Sequence, residues 1–191
     1  MSSTAEDLVR RHRYTVEDYY RMGEVGILAP DARVELIDGE VIEMPPIGAP
    51  HASVVTDLQR SLERAVGDAA IVRVQNPIHL SPHDEPQPDI ALVTPPASKY
   101  RRRHPGPADV LLLIEVAETS LRVDRDLKLG LYARCAIPEV WLVDLKAGRV
   151  TRCRDPSAAG YGESETLALD SPVPVPGLHS PPSRVDLSGL L

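Results

Sequence analysis

The chain has 191 residues and is acidic, with 28 Asp and Glu against 21 Lys and Arg and a formal charge of −7. Its 42% apolar and 26% charged residues are the balance of a globular protein, which excludes a disordered or fibrous chain, and no window approaches the ~18–20 apolar residues of a membrane span. The acidity counts against a protein that coats nucleic acid through a basic face, since such binding rests on phosphate neutralisation, but it leaves room for an enzyme whose carboxylates hold metal ions against phosphate.

Residues 1–13 read as a charged lead-in with no apolar secretory segment, so the expected setting is cytoplasmic. Residues 14–191 are expected to form one domain, with a Pro-rich tail from about residue 171. Thr15-Val16-Glu17-Asp18 has the form of a capping box and predicts a short helix through Arg21. Val34 to Ile37 and Glu40 to Met44 alternate around Asp38-Gly39, a strong hairpin signal. From His51 to Val66 the period changes: Val55, Leu58, Leu62 and Val66 form one stripe, as on an amphipathic helix.

Strands are predicted at Ala70 to Val74, Ile78 to Leu80 and Ile90 to Val93. Residues 94–109 form a Pro-rich basic loop carrying Arg101, Arg102 and Arg103. The apolar run Val110 to Val116 predicts a central strand buried on both faces. Asp124 to Arg134 reads as a helix, Glu139 to Val143 as a strand, and Asp144 to Gly148 as a turn into Arg149 to Arg154. A further strand is expected at Glu163 to Leu169, before a tail that wraps the surface. The order defines an α/β domain with a central mixed β-sheet flanked by α-helices. With no Phe and one Trp, the core must be built from Leu, Val, Ile and Ala. Cys135 and Cys153 lack the spacing of a metal site and read as reduced thiols, while Tyr132 and Trp141 read as core residues.

Three carboxylates stand where carboxylates are awkward: Glu35 inside the first hairpin strand, Asp89 at the head of a strand, and Glu115 near the end of the most apolar one. Burying such a charge costs several kcal/mol unless it is paired, hydrogen-bonded or metal-bound. Arginine pairing is the plain explanation for each alone. Two carboxylates at neighbouring strand ends can instead share a hard cation such as Mg²⁺, with the Val116 carbonyl as a further ligand. Lys128 is one of only three lysines. It can pair with Asp124 one helical turn earlier, or return over the Glu115 strand end to orient a water or stabilise phosphoryl charge. His51 opens the second helix, where it is either an exposed terminal residue or a proton carrier. Arg101 to Arg103 are either a solvated loop or a contact to a nucleic-acid backbone.

Pro88-Asp89, Glu115-Val116-Ala117, Asp124-x-x-x-Lys128-x-x-x-Tyr132 and Ile137-Pro138-Glu139-Val140-Trp141-Leu142-Val143-Asp144, with Glu35 to Glu40 and His51 upstream, resemble the Uma-two family of bacterial endonucleases over about residues 14–155. That resemblance implies the PD-(D/E)XK restriction-endonuclease-like fold, with Asp89, Glu115 and the Val116 carbonyl as ligands of Mg²⁺ or Mn²⁺ and Glu35 as an outer carboxylate. The superfamily's lysine position is Ala117 here, and Lys128 is its natural replacement. Glu118-Thr119-Ser120 stands where the family more often has a Ser-Pro-like turn. The implied activity is metal-dependent hydrolysis of phosphodiesters in DNA, with His51 in support. A homodimer is expected, because cutting both strands suits two-fold symmetry. The alternative is a non-catalytic DNA- or protein-binding module of the same fold, associated with mobile elements or defence.

Overall fold

The computed structural model describes residues 11–117, 122–170, 172–176 and 184–188, and side chains for all of these except 122–126. The first helix, α1 (Val16–Glu24), starts as its sequence requires: Asp18 N–H donates to Thr15 Oγ1 at 3.1 Å and Thr15 N–H to the Asp18 carboxylate at 2.9 Å. The hairpin of β1 (Val34–Ile37) and β2 (Glu40–Glu43) follows, paired antiparallel. Its turn places Asp38 at φ 52° and Gly39 at φ 74°, the positive-φ pair of a tight two-residue hairpin loop. Glycine is also a steric need there, since a Cβ on residue 39 would lie 2.9 Å from Arg13 Cα.

Helix α2 (Ala49–Val66) opens with a proline in its first turn and buries Val54, Val55, Leu58, Leu62 and Val66, the predicted stripe with Val54 added. The main sheet then forms from β3 (Ile71–Val74), β4 (Ile90–Val93), β5 (Val110–Ala117), β6 (Glu139–Asp144), β7 (Arg149–Ser157) and β8 (Gly160–Ala168). Its six strands lie in the order β3-β4-β5-β6-β7-β8. Only β5 and β6 run parallel, joined by a crossover that contains α3 (Arg122–Arg134); every other neighbour is antiparallel. The sheet is therefore mixed, with β5 inside it and buried along most of its length.

Alternation along the strands divides the core. Ile90, Leu92, Ile114 and Trp141 face α2 on one side. Ala91, Val93, Leu113 and Val140 face Leu131 and Tyr132 of α3 and Ile37 of the hairpin on the other.

Two expectations are corrected. Ile78 to Leu80 is no strand: Ile78 N–H donates to Pro86 O, His79 N–H to Pro105 O and Leu80 N–H to Asp84 O. The prolines of this stretch supply carbonyls but no N–H, so the donors find loop partners instead of a ladder. The tail does more than wrap the surface. Strands β9 (Val173–Pro174) and β10 (Arg184–Val185) pair antiparallel, and Val173, Val175, Val185 and Leu187 enter the α2-side core.

The fold fixes one juxtaposition that matters for function. Because β4 runs antiparallel to β5, its start lies beside the end of β5, with Ile90 opposite Ile114. One step beyond, the Asp89 side chain replaces a ladder acceptor: Val116 N–H donates to Asp89 Oδ2 at 2.8 Å.

Candidate active site

At that strand end lies a pocket of about 440 Å³, walled by the Pro45-Pro46-Ile47 turn between β2 and α2. Glu35, His51, Asp89, Glu115, Val116 and Lys128, all singled out in the sequence, line it together. Glu35 comes from β1, His51 from the first turn of α2, Asp89 from the head of β4, Glu115 and Val116 from β5, and Lys128 from α3. Three separate layers thus deliver one chemical cluster.

Lys128 stands between two of the acids. Its Nζ is 2.9 Å from Glu35 Oε2 and 3.6 Å from Glu115 Oε1. Glu115 Oε1 also accepts from the Tyr132 hydroxyl at 2.6 Å, and Glu35 Oε2 from the backbone N–H of Gln87 at 3.1 Å. Asp89 is held separately, with His51 Nε2 3.1 Å from Oδ2 and Gln75 Nε2 3.5 Å from Oδ1. The side chains of Asp124 and of residues 118–120 lie outside the described residues, and with them the Asp124–Lys128 pairing and the turn after β5.

These surroundings set the protonation states. Burial, opposed by the Lys128 ammonium and reinforced by the Asp89 charge, pushes the Glu115 carboxyl up to about 7. Burial works against the charge of Lys128, but Glu115 and Glu35 outweigh it and hold the ammonium above the ordinary lysine range. Burial and then Glu115 keep the Tyr132 hydroxyl protonated well above the usual tyrosine range, so it stays a donor.

Three participants escaped the sequence reading. Tyr132 is fully buried, as expected, yet its hydroxyl is spent on Glu115. Gln75 follows β3 at φ 49° and binds Asp89 twice, by its side chain and by its backbone N–H to Asp89 O at 3.0 Å. Gln87 joins β1 to the 81–88 loop through Glu35 and the Val34 carbonyl. For Tyr132 the spacing of four from Lys128 was a usable signal; for the glutamines nothing local was. Arg101, Arg102 and Arg103 lie elsewhere, beside a second pocket.

A mixed sheet whose inner strand ends carry carboxylates and a lysine facing one pocket defines a restriction-endonuclease-like protein, and the comparisons agree. The chain belongs to the Uma2 family, described as "putative restriction endonuclease", whose profile matches residues 16–182. Among solved structures it is similar to one titled as a "putative nuclease belonging to DUF820" from Anabaena variabilis ATCC 29413. That likeness has a TM-score of 0.66 and 19% identity, over 93% of this chain and 99% of that one, and at this identity it is a likeness of fold. No curated protein sequence matches the chain.

Nucleases of this fold generally use divalent metals. Among the described residues no group of three or more His, Cys, Asp or Glu is set to hold a metal ion, and Lys128 bridges two of the acids directly. The donor chemistry still fits a hard cation: Asp89, Glu115 and Glu35 present oxygen donors to one pocket against a single ammonium. Within a strand residue the N–H and C=O point to the same edge, so the Val116 carbonyl shares the edge from which its N–H reaches Asp89.

Proposed function

We propose that the protein is a Mg²⁺- or Mn²⁺-dependent endonuclease that hydrolyses phosphodiester bonds in DNA. The observation that carries this reading is the convergence of Asp89, Glu115, Glu35 and Lys128 on one pocket at the ends of β4 and β5, in a chain of the Uma2 family. Asp89 and Glu115 would hold the cation, with the Val116 carbonyl beside them and Glu35 as an outer carboxylate. When bound, the cation supplies Lewis acidity toward the phosphodiester and acidifies the attacking water.

The chain's own groups do the rest. Lys128 places a fixed positive charge where negative charge grows on the phosphate, in a site where water screens it little. Tyr132 and Gln87 N–H orient Glu115 and Glu35, which keeps the oxygens aimed before substrate arrives. His51 supports Asp89, its Nε2 3.1 Å from Oδ2, and imidazole is a side chain that can carry a proton.

The test is cleavage of supercoiled, linear and single-stranded DNA with Mg²⁺ or Mn²⁺, comparing wild type with Asp89→Ala and Lys128→Ala. Metal-dependent cleavage lost in both variants is the expected result. Survival of cleavage in Asp89→Ala sinks the site. Loss in Asp89→Ala alone removes only the role of Lys128.

A second reading, a non-catalytic DNA- or protein-binding module, draws on one observation: Lys128 already neutralises Glu35 and Glu115 without a metal. It predicts that Mg²⁺ or Mn²⁺ leaves the thermal melt unmoved, whereas a cation that binds only the native state raises it.

A further inference from the structure

The second pocket, about 620 Å³, is open to solvent and chemically the reverse of the first. Its walls include Tyr20 of α1, His79, Tyr100, Arg101, Arg102 and His104. Arg73, Lys99 and Arg103 all sit within 5.8 Å of the Tyr100 ring centroid, the range of cation–π attraction. In a chain of net charge −7, five basic side chains are thus gathered around one loop. Asp109, the acid nearest them, is taken by Lys99 and Arg103, which hold its carboxyl below the usual aspartate range. Glu85 is buried and bound by the Tyr20 hydroxyl and His79. Arg101 and Arg102 are exposed and form no ion pair among the described residues.

The loop that carries them is braced. Tyr100 donates its hydroxyl to Thr94 O at 2.7 Å, directly after β4. Thr94 N–H donates to Asp109 O at 2.9 Å and so closes the neck of the loop. The loop backbone from which Arg101 and Arg102 extend is therefore fixed before any ligand arrives, which lowers the ordering cost of binding.

The two pockets share their supports. Arg73 in β3 lies over the Tyr100 ring, and Gln75, directly after that strand, donates to Asp89. Glu85, in the wall of the basic pocket, precedes Asp89 by four residues, a chain span of at most ~14 Å.

We propose that the basic pocket is a phosphate-binding subsite, in which Arg101 and Arg102 grip the backbone of the DNA strand presented to the acidic pocket. This rests on the reading of the protein as a DNA nuclease, and it assigns a gripping charge within a chain of net charge −7.

The experiment measures binding of a fluorescent 16-base-pair duplex across a salt series, without divalent metal. It compares wild type, the double variant Arg101→Gln/Arg102→Gln, and a control, Arg60→Ala/Arg64→Ala, on the exposed face of α2. Hydrolysis of bis(4-nitrophenyl) phosphate with Mn²⁺, a diester too small to reach both pockets, is followed in parallel. If each arginine meets one phosphate, the slope of log affinity on log salt falls by about 1.8 in the double variant, and affinity at 0.1 M salt falls by a factor of roughly 60. The control then binds as wild type does, and the small diester is hydrolysed equally by wild type and double variant. An unchanged slope in the double variant, or an equal loss in the control, overturns the subsite. So does displacement of the duplex by poly-glutamate at matched charge, which would point to an acidic protein partner. Binding is read without turnover, so the two readings fail separately. An arginine-dependent slope with an inert enzyme keeps the subsite and sinks the nuclease, while diester hydrolysis with no such slope does the reverse.

Discussion

Two clusters of buried carboxylates lie on opposite faces of the same sheet, and they are built to different ends. On the α2 side, Glu139 Oε1 accepts from Trp141 Nε1 and from Arg152 Nε at 2.8 Å, and Arg152 reaches Glu165 at 3.2 Å. Trp141, Arg152 and Glu165 are direct neighbours across β6, β7 and β8, so sheet register alone assembles them. On the α3 side, Glu35, Asp89 and Glu115 share one ammonium and face a pocket. In the first cluster the one buried acid is met by N–H donors; in the second, three acids with one ammonium line a pocket. A buried acid is therefore no mark of a site.

That contrast can be broken or sharpened in four ways. The largest expected effect is on turnover: Asp89→Ala lowers metal-dependent DNA cleavage by on the order of 10³-fold or more, whereas Arg152→Ala leaves the rate per folded molecule within a few-fold. Equal losses would erase the distinction between the clusters. Next comes stability. Arg152→Ala strands Glu139 inside the core and costs about 3–5 kcal/mol in urea unfolding, and neither Mg²⁺ nor Mn²⁺ restores it. Lys128→Ala also removes a partner, but its loss is partly recovered by the same ions, because the carboxylates then have another cation.

Third is pH. Glu115 is raised to about 7 by burial from the ordinary value of 4.5, so between those values the native state holds a proton that the unfolded chain has released. Stability contributed by that proton is full below about pH 4.5 and is lost as pH rises to 7, with a slope of at most about 1.4 kcal/mol per pH unit. Chemical denaturation from pH 5 to 8 should show this fall in wild type, a shallower one in Glu115→Gln, and a shallower one again in wild type with Mg²⁺. A fall of the same steepness in Glu115→Gln would assign it to another group. The smallest effect is Tyr132→Phe, which removes one donor from Glu115 and costs about 1–2 kcal/mol. Its specific signature is weaker Mn²⁺ binding by calorimetry, which a mere packing defect would leave unchanged.

The sequence carried the elements with strong local signals and lost those decided across space. Asp38-Gly39 announced its hairpin, and Val110 to Val116 its central strand, because turn chemistry and unbroken apolarity need no partner to be read. Glu35, Asp89, Glu115 and Lys128 were conspicuous as charges in apolar or strand-end settings. Glu139 is as deeply buried as Glu35 yet reads in the sequence only as the start of a strand and part of a motif, since its Arg152 lies thirteen residues away and is set by register. Gln75 and Gln87 are ordinary glutamines until β4 is placed beside them. The tail hid its alternation, Val173 and Val175 then Val185 and Leu187, among prolines that suggested irregular structure. Ile78 to Leu80 erred the other way, as apolar residues buried by a loop.

Asp89 takes the place of the next rung where β4 gives out, accepting the N–H of Val116. The separation of Asp89 and Glu115 is thus inherited from the spacing of two antiparallel strands, not from the loop that joins them. Residues 94–109 leave β4 and rejoin β5 at the far end of both strands, held at the neck by the bonds from Thr94 N–H to Asp109 O and from the Tyr100 hydroxyl to Thr94 O. A change in the length or charge of that loop therefore leaves untouched the strand ends that set Asp89 beside Glu115.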